Sequence, residues 1–343
     1  MEVRPFEIGG VPSPWRETLD EEVKQLRERP DVLAVGIAGS WAQEDTWSHS
    51  DLDIEVLLKG EHDFSLTIRE DERISVDVAF FGENMVEHLP YETRPIYDPE
   101  GVMTQELTSK DLNEVLSEIL RRDLDVCEGL LRRAEEALSV DQQSTLAFLH
   151  LFAWNLSEAV TVAAGDKRTM VRRCSRTERA VKRHNREDLL EKLGQLYGFP
   201  KSLQRAEELV TLLWEGYKEI WSFFSDKEQG PPYMVQQPDP EGWVKNRIEP
   251  LYHYDPRDFV WLVCLEFPDV AWHLFRNLTD HERLPLDMFD EAKDFPAAPR
   301  RWMSSHLRCL ELLAPGPSEE LLDVAKGLWL DTCQLADEKL HLR

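Results

Sequence analysis

The sequence is short of basic residues. It has 40 Lys and Arg against 66 Asp and Glu, a formal net charge of −26. Contacts with a nucleic-acid backbone need a net basic footprint, so this imbalance argues against DNA or RNA as a partner. Cysteine is also scarce: Cys127, Cys174, Cys264, Cys309 and Cys333 are the five present. Their odd number, their wide spacing and the absence of a C-x-x-C pair support neither a disulfide framework nor a zinc site. They are expected to be buried apolar fillers in a reducing compartment. Long apolar runs are missing as well. The opening MEVRPFEIGG lacks the apolar stretch of a signal peptide, and no segment approaches the length of a membrane span. The expectation is a soluble, cytoplasmic protein without a membrane partner.

Hydrophobic residues make up 42% of the chain, with 11 Trp and 14 Phe, which is enough for packed cores. A length of 343 residues exceeds one average domain. The patterning changes along it. Residues 14–29 repeat apolar positions (Trp15, Leu19, Val23, Leu26) at helical spacing. Residues 32–39 form a short apolar run ending in glycine, which reads as a buried strand. Residues 51–58 alternate at first and predict a second strand, and Phe64–Arg69 with Ile74–Phe81 predict a hairpin around a charged turn. Prolines at 90, 95 and 99 then interrupt the pattern. From Ser109 onward the three- and four-residue spacing predicts helices over 109–138, 143–164, 177–197, 202–225, 257–277, 286–293, 299–313 and 318–341. The expected class is α+β: a small mixed-sheet domain over 1–105, then a larger all-α domain over 106–343, with a further division near 230–240.

One segment carries chemistry. The strand ending in Gly39-Ser40 is expected to open a short helix, where glycine lets the backbone approach a ligand and the following amides and the Ser40 hydroxyl face a phosphate. Asp51 and Asp53 are two apart on a strand, so their side chains share a face. Carboxylates that close repel each other unless a cation lies between them. Magnesium fits, because it takes a few carboxylate oxygens together with substrate phosphates. Asp77 interrupts the apolar strand Ile74–Ala79, and a buried carboxylate needs a partner. If the hairpin strand lies beside the Asp51 strand, Asp77 completes a three-carboxylate site. Such a site suits two-metal phosphoryl-type transfer, one ion activating the attacking hydroxyl and the other neutralising the leaving pyrophosphate. Glu55 continues the same face, as the second acid of a shifted pair or as an outer-shell residue.

Gly39-Ser40, eleven intervening residues and then Asp51-x-Asp53, followed by Asp77 on a later strand, resemble the signature of the DNA polymerase β-type nucleotidyltransferase superfamily. The form Ser50-Asp51-Leu52-Asp53 is similar to the branch containing antibiotic and minimal nucleotidyltransferases. The resemblance covers residues 32–81. It implies that Gly39 and Ser40 bind a nucleoside triphosphate, with ATP the expected donor. It also implies that Asp51 and Asp53 bind metal, and that Asp77 is a ligand or the general base. The helical remainder matches only in style, since members of that branch often carry a C-terminal helical domain.

The one basic stretch runs from Lys167 to Arg186 and includes Arg172 and Arg173. It reads either as an arginine clamp on the triphosphate or as a solvated helix face balanced by acids. Arg179 and His184 fit a loose spacing seen in helical RNA-cleaving domains, though Ala180 stands where a polar residue is usual. Glu158 and Glu266, set among aromatics, are candidates to bind an acceptor's amines. Trp41 and Trp47 flank the motif and are expected to pack. His49 beside the acid pair reads as a loop residue, since magnesium prefers oxygen.

The sequence thus predicts magnesium-dependent transfer of AMP from ATP to a hydroxyl of a small molecule. A cationic acceptor such as an aminoglycoside leads because of the negative field, which would make the enzyme an antibiotic-resistance determinant. The competing readings are adenylylation of a protein partner, as in toxin–antitoxin systems, and a non-catalytic nucleotide sensor.

Overall fold

The structure, a computed structural model, describes residues 6–8, 11–44, 46, 48, 50–70, 74–166, 173–225, 230–231, 234, 241, 248–279, 281–313 and 318–340. The chain divides into two compact units, Met1–Leu116 and Ser117–Arg343.

The first unit contains α1 (Trp15–Arg27), β1 (Val32–Ile37), the one-turn α2 (Gly39–Ala42), β2 (Leu52–Leu58), β3 (Ser65–Glu70), β4 (Ser75–Gly82), β5 (Arg94–Tyr97) and α3 (Val102–Ser109). The five strands form one mixed sheet in the order β3-β4-β2-β1-β5. β2 and β4 run parallel; the other neighbours are antiparallel. The expected hairpin is β3–β4, and its second strand does lie beside β2.

Each face of the sheet follows from the two-residue period of its strands. Leu52, Ile54 and Val56 of β2 and Val76 and Val78 of β4 join Leu19, Val23 and Leu26 of α1 in one core. Those three α1 residues recur at helical spacing, and Lys24 and Arg27 in the last turn suit its dipole. On the opposite face Leu57, Ala79 and Phe81 pack with Ala34, Leu89, Met103 and Leu107, the last two from α3. Asp53 and Asp77 share that second face but lie toward its other end, beyond the apolar cluster.

In this first unit two elements differ from the sequence expectation. The prolines near 95 do not end the sheet, because β5 pairs with β1 there, Gly36 opposite Pro95. Proline is tolerated because β5 is an edge strand and one of its sides needs no donor. The first helix after the sheet is α3, starting at Val102 behind the left-handed Gly101, seven residues before the predicted start.

Ser117–Arg343 is all-α among its described residues. It holds most of α4 (Leu112–Leu138), then α5 (Gln142–Ala163), α6 (Arg173–Arg183), α7 (Glu187–Leu196), the single turn α8 (Lys201–Gln204), α9 (Ala206–Ser225), α10 (Glu249–Tyr254), α11 (Pro256–Leu278), α12 (Met288–Glu291), α13 (Ala297–Leu313) and α14 (Ser318–Leu340). The helix expected over 177–197 is broken in two at Asn185, which adopts φ 54°. The loop at 230–240 lies largely outside the described residues.

The centre of this unit is α5, which packs against α6, α11 and α14. Asp141 starts it by accepting hydrogen bonds from the amides of Gln143 and Ser144. Its 22 residues are apolar enough to cross a membrane, which corrects the expectation that no segment is; most of its apolar window is buried inside the unit. A helix apolar on every side is a core helix when others surround it. Cys127, Cys174, Cys264 and Cys309 are buried and Cys333 is half-buried, all with free thiols.

Two acids of α11 sit in this interior. Glu266 is buried and accepts a hydrogen bond from the Tyr217 hydroxyl at 2.5 Å. Burial, with the Glu266 charge adding to it, pushes the Asp269 carboxyl up to about 7. The folded state therefore holds the Asp269 proton across a range where the unfolded chain has released it. The stability this contributes is full below about pH 4 and is lost as pH rises through about 7. Asp269→Asn should raise the melting temperature at pH 8 by roughly 5 °C and at pH 5 by only about a third as much. Thermal unfolding at both pH values checks this; equal pH slopes in the two proteins would show that Asp269 ionises normally.

Candidate metal centre

β2 begins at Leu52, so Asp51 stands just before the strand and Asp53 one residue inside it. Asp53 is the register partner of Asp77 across the parallel β2–β4 pair. Parallel in-register pairing points both side chains to one face, and Asp51, two residues before Asp53, shares it. One carboxylate oxygen from each of Asp51, Asp53 and Asp77 lies within 4.8 Å of the others, all three residues being half-buried. No other group of three or more such ligands converges this way among the described residues. At that separation each pair of like charges costs about 3–4 kcal/mol at an effective dielectric near 20. A divalent cation between them turns that cost into attraction, and an all-oxygen donor set suits magnesium or manganese.

The turn after β1 is built against the same carboxylates. The Ala38 amide donates to the Asp53 carbonyl at 2.8 Å, tying the end of β1 to β2. Gly39 follows with φ +57°, and a Cβ placed there would lie 1.8 Å from Asp53 Oδ2. Glycine is required on both counts: the backbone is left-handed, and the Asp53 carboxylate lies where a side chain would go. The Ser40 hydroxyl is buried and has no hydrogen-bond partner. Ser40 directly follows the glycine that abuts Asp53, and a buried hydroxyl without a protein partner at that turn has a proton to offer a ligand. Trp41 packs in the core against Trp15, ring centroids 5.9 Å apart, as expected. Trp15 also donates its indole N–H to the Ser50 carbonyl at 2.9 Å, anchoring the chain just before Asp51.

Glu55 has a different environment. It is 7% exposed, Oε2 lacks a hydrogen-bond partner, and burial, helped by the charge of Glu92, raises its pKa to about 8. It lies one step deeper along β2, toward the apolar cluster around Leu57. The three-ligand group that the structure brings together holds Asp51, Asp53 and Asp77 without it.

Arg172, Trp47 and His49 lie outside the described residues. Arg173 is 3% exposed within the helical unit, 2.8 Å from Glu158, with a hydrogen bond to the Trp154 carbonyl and its guanidinium 4.0 Å from the Trp154 ring centre. Buried and paired in this way, its charge is matched within the helical interior. Glu158, offered as an acceptor-binding acid, is the partner that neutralises it. His184 donates to the Ala164 carbonyl at 2.9 Å, again a contact within that unit.

The sequence matches no protein-family model and no curated protein. Among solved structures it is similar to a nucleotidyltransferase-like protein from Exiguobacterium sibiricum 255-15, with 9% identity, 78% of this chain and 80% of that chain covered, and a TM-score of 0.30. A TM-score that low establishes no shared fold, so the site is interpreted from its own geometry.

Gly39→Ala should keep the fold but displace the Asp53 carboxylate, weakening Mn²⁺ binding about 10- to 100-fold, the usual range when a ligand loses its support. Calorimetry or the Mn²⁺ resonance signal reads this out. Unchanged affinity would show that Asp53 can retreat from residue 39 and still bind metal.

Proposed function

We propose that this chain is a metal-dependent nucleotidyltransferase that moves a nucleoside monophosphate, AMP from ATP, onto a hydroxyl of a small acceptor. The observation that carries the reading is the convergence of Asp51, Asp53 and Asp77 from two neighbouring parallel strands beside the glycine turn at residue 39. Two magnesium ions held there would supply charge neutralisation at the transferring phosphorus and the departing pyrophosphate.

The protein's own residues do the rest. Asp51 and Asp53 fix the cations, and the Gly39 backbone keeps the Asp53 carboxylate from rotating away. Ser40 has a hydroxyl proton without an acceptor in the protein, which it can donate to a phosphate oxygen. In this reading Asp77 completes the ligand set and takes the acceptor's proton. Catalysis is then mostly positioning and electrostatics, which needs little covalent chemistry from the protein.

The charge of −26 supports a cationic acceptor of the aminoglycoside class, since the whole-molecule field concentrates cations. The same field disfavours nucleic acid as the acceptor.

With radiolabelled ATP and a panel of amino-sugar and simple alcohol acceptors, label should appear on a small molecule in the presence of magnesium. EDTA should stop transfer and added magnesium restore it. Asp53→Asn should reduce transfer to background while the circular dichroism spectrum stays unchanged. Full turnover by that variant, or turnover indifferent to chelation, would reject the mechanism.

A further inference from the structure

The candidate metal centre has two flanks on the sheet. On one, the Gly39 turn lies against Asp53 Oδ2. On the other lies β3, an edge strand. Asp77 is the register partner of Asp53 on β2 and of Ile68 on β3. Register partners on adjacent strands point to the same face, with Cβ atoms about 5 Å apart. One row across that face therefore reads Ile68, Asp77, Asp53 and then the glycine turn.

Ile68 is half-buried. The two-residue period of β3 puts Leu66 on the same face, opposite Ala79, and Leu66 packs into the apolar cluster that holds Ala79 and Phe81. Ile68 lies one step beyond, level with the acids, and among the described residues neither apolar cluster of the sheet includes it. The other face of β3 is polar: Thr67 and Arg69 are exposed, and Arg69 pairs with Glu22 of α1 at 2.8 Å. A carboxylate is a poor packing partner for an isoleucine, and an edge strand gives it a neighbouring strand on one side only.

Transfer at phosphorus sets the direction from which an acceptor comes. The attacking and leaving oxygens lie roughly in line through the phosphorus. With the outer phosphates on the Gly39–Ser40 turn, pyrophosphate departs toward β1. The attacking hydroxyl then arrives on the opposite flank, over Asp77 and toward β3, where Asp77 can take its proton. The carbon atoms next to that hydroxyl meet Ile68.

We propose that Ile68 is a specificity residue for the acceptor, an apolar contact for the carbons beside the reacting hydroxyl, so that the acceptor is apolar there whatever charge it carries further away. This rests on the nucleotidyl-transfer reading of the acid site.

The test uses the full chain with Mn²⁺ and an ATP analogue that has a methylene bridge between its α and β phosphorus atoms and so cannot be transferred. Cyclohexanol and inositol are the probes, the same ring with a single hydroxyl or with one on every carbon. Relaxation of the probe's protons by Mn²⁺ reports binding beside the metal. Cyclohexanol should bind more tightly than inositol. Ile68→Thr should weaken cyclohexanol about 4- to 10-fold, the loss expected for one or two methylene contacts, and leave inositol unchanged. Ile68→Leu, which keeps the apolar volume, should stay within about twofold of wild type. Affinity for Mn²⁺ and for the analogue should be equal in all three proteins. An isoleucine that only braces the edge strand predicts either weakened Mn²⁺ binding in Ile68→Thr or no change for cyclohexanol. Both results overturn the proposal, as does a wild-type protein that favours inositol or relaxes neither probe. Nucleotide transfer to an acceptor whose KM is the same in Ile68→Thr would sink the role of Ile68 and spare the function. Cyclohexanol binding that Ile68→Thr weakens, in a protein that transfers nothing, would do the reverse.

Discussion

Mutual repulsion of three carboxylates is the constraint around which the first unit is organised. Two strands must run parallel and in register for Asp53 to face Asp77, and Asp51 must sit just ahead of the strand to join them. Nothing in the packing of the sheet requires acids there. The neighbouring positions on the same face, Leu57, Ala79 and Phe81, are apolar and stabilise the sheet by burial. The acids instead gather negative charge that a divalent cation could balance, and such local conflicts tend to mark functional positions.

The turn at Gly39 is coupled to those acids. Its backbone lies against the Asp53 carboxylate, so the geometry of that candidate ligand and of the turn share one contact. The candidate metal ligands and the glycine turn are thus parts of a single steric arrangement. Glu55 shows the contrast: two residues further along β2, a carboxyl under the apolar cluster keeps its proton at neutral pH, because burial disfavours its charge. Depth along one strand separates an acid that can hold a cation from one that stays neutral.

Much of this was legible in the sequence because it rests on short-range regularities. Two-residue alternation placed Asp51 and Asp53 on one face, and the apolar setting of Asp77 marked it as an acid needing a partner. Helical spacing separated the sheet from the helices and found nearly all of the long ones. What escaped depended on tertiary context. β5 is four residues long, contains Pro95 and shows no alternation, so only its pairing with β1 makes it a strand. The Arg173–Glu158 pair could not be read from a run of basic residues, since Glu158 is fifteen positions away and meets Arg173 only when α5 and α6 pack. The apolar character of α5 was visible, but composition alone does not separate a core helix from a membrane-crossing one.

Pro95 has an effect on how this sheet behaves in a crowded solution. An outermost strand ordinarily offers a continuous ladder on which a stranger's backbone can zip up. Here the proline removes one rung, and the amide of Phe6 already occupies the Pro95 carbonyl at 3.1 Å. That flank of the sheet is thereby poorly suited to templating aggregation, and it can stay open to water without inviting other chains to extend it.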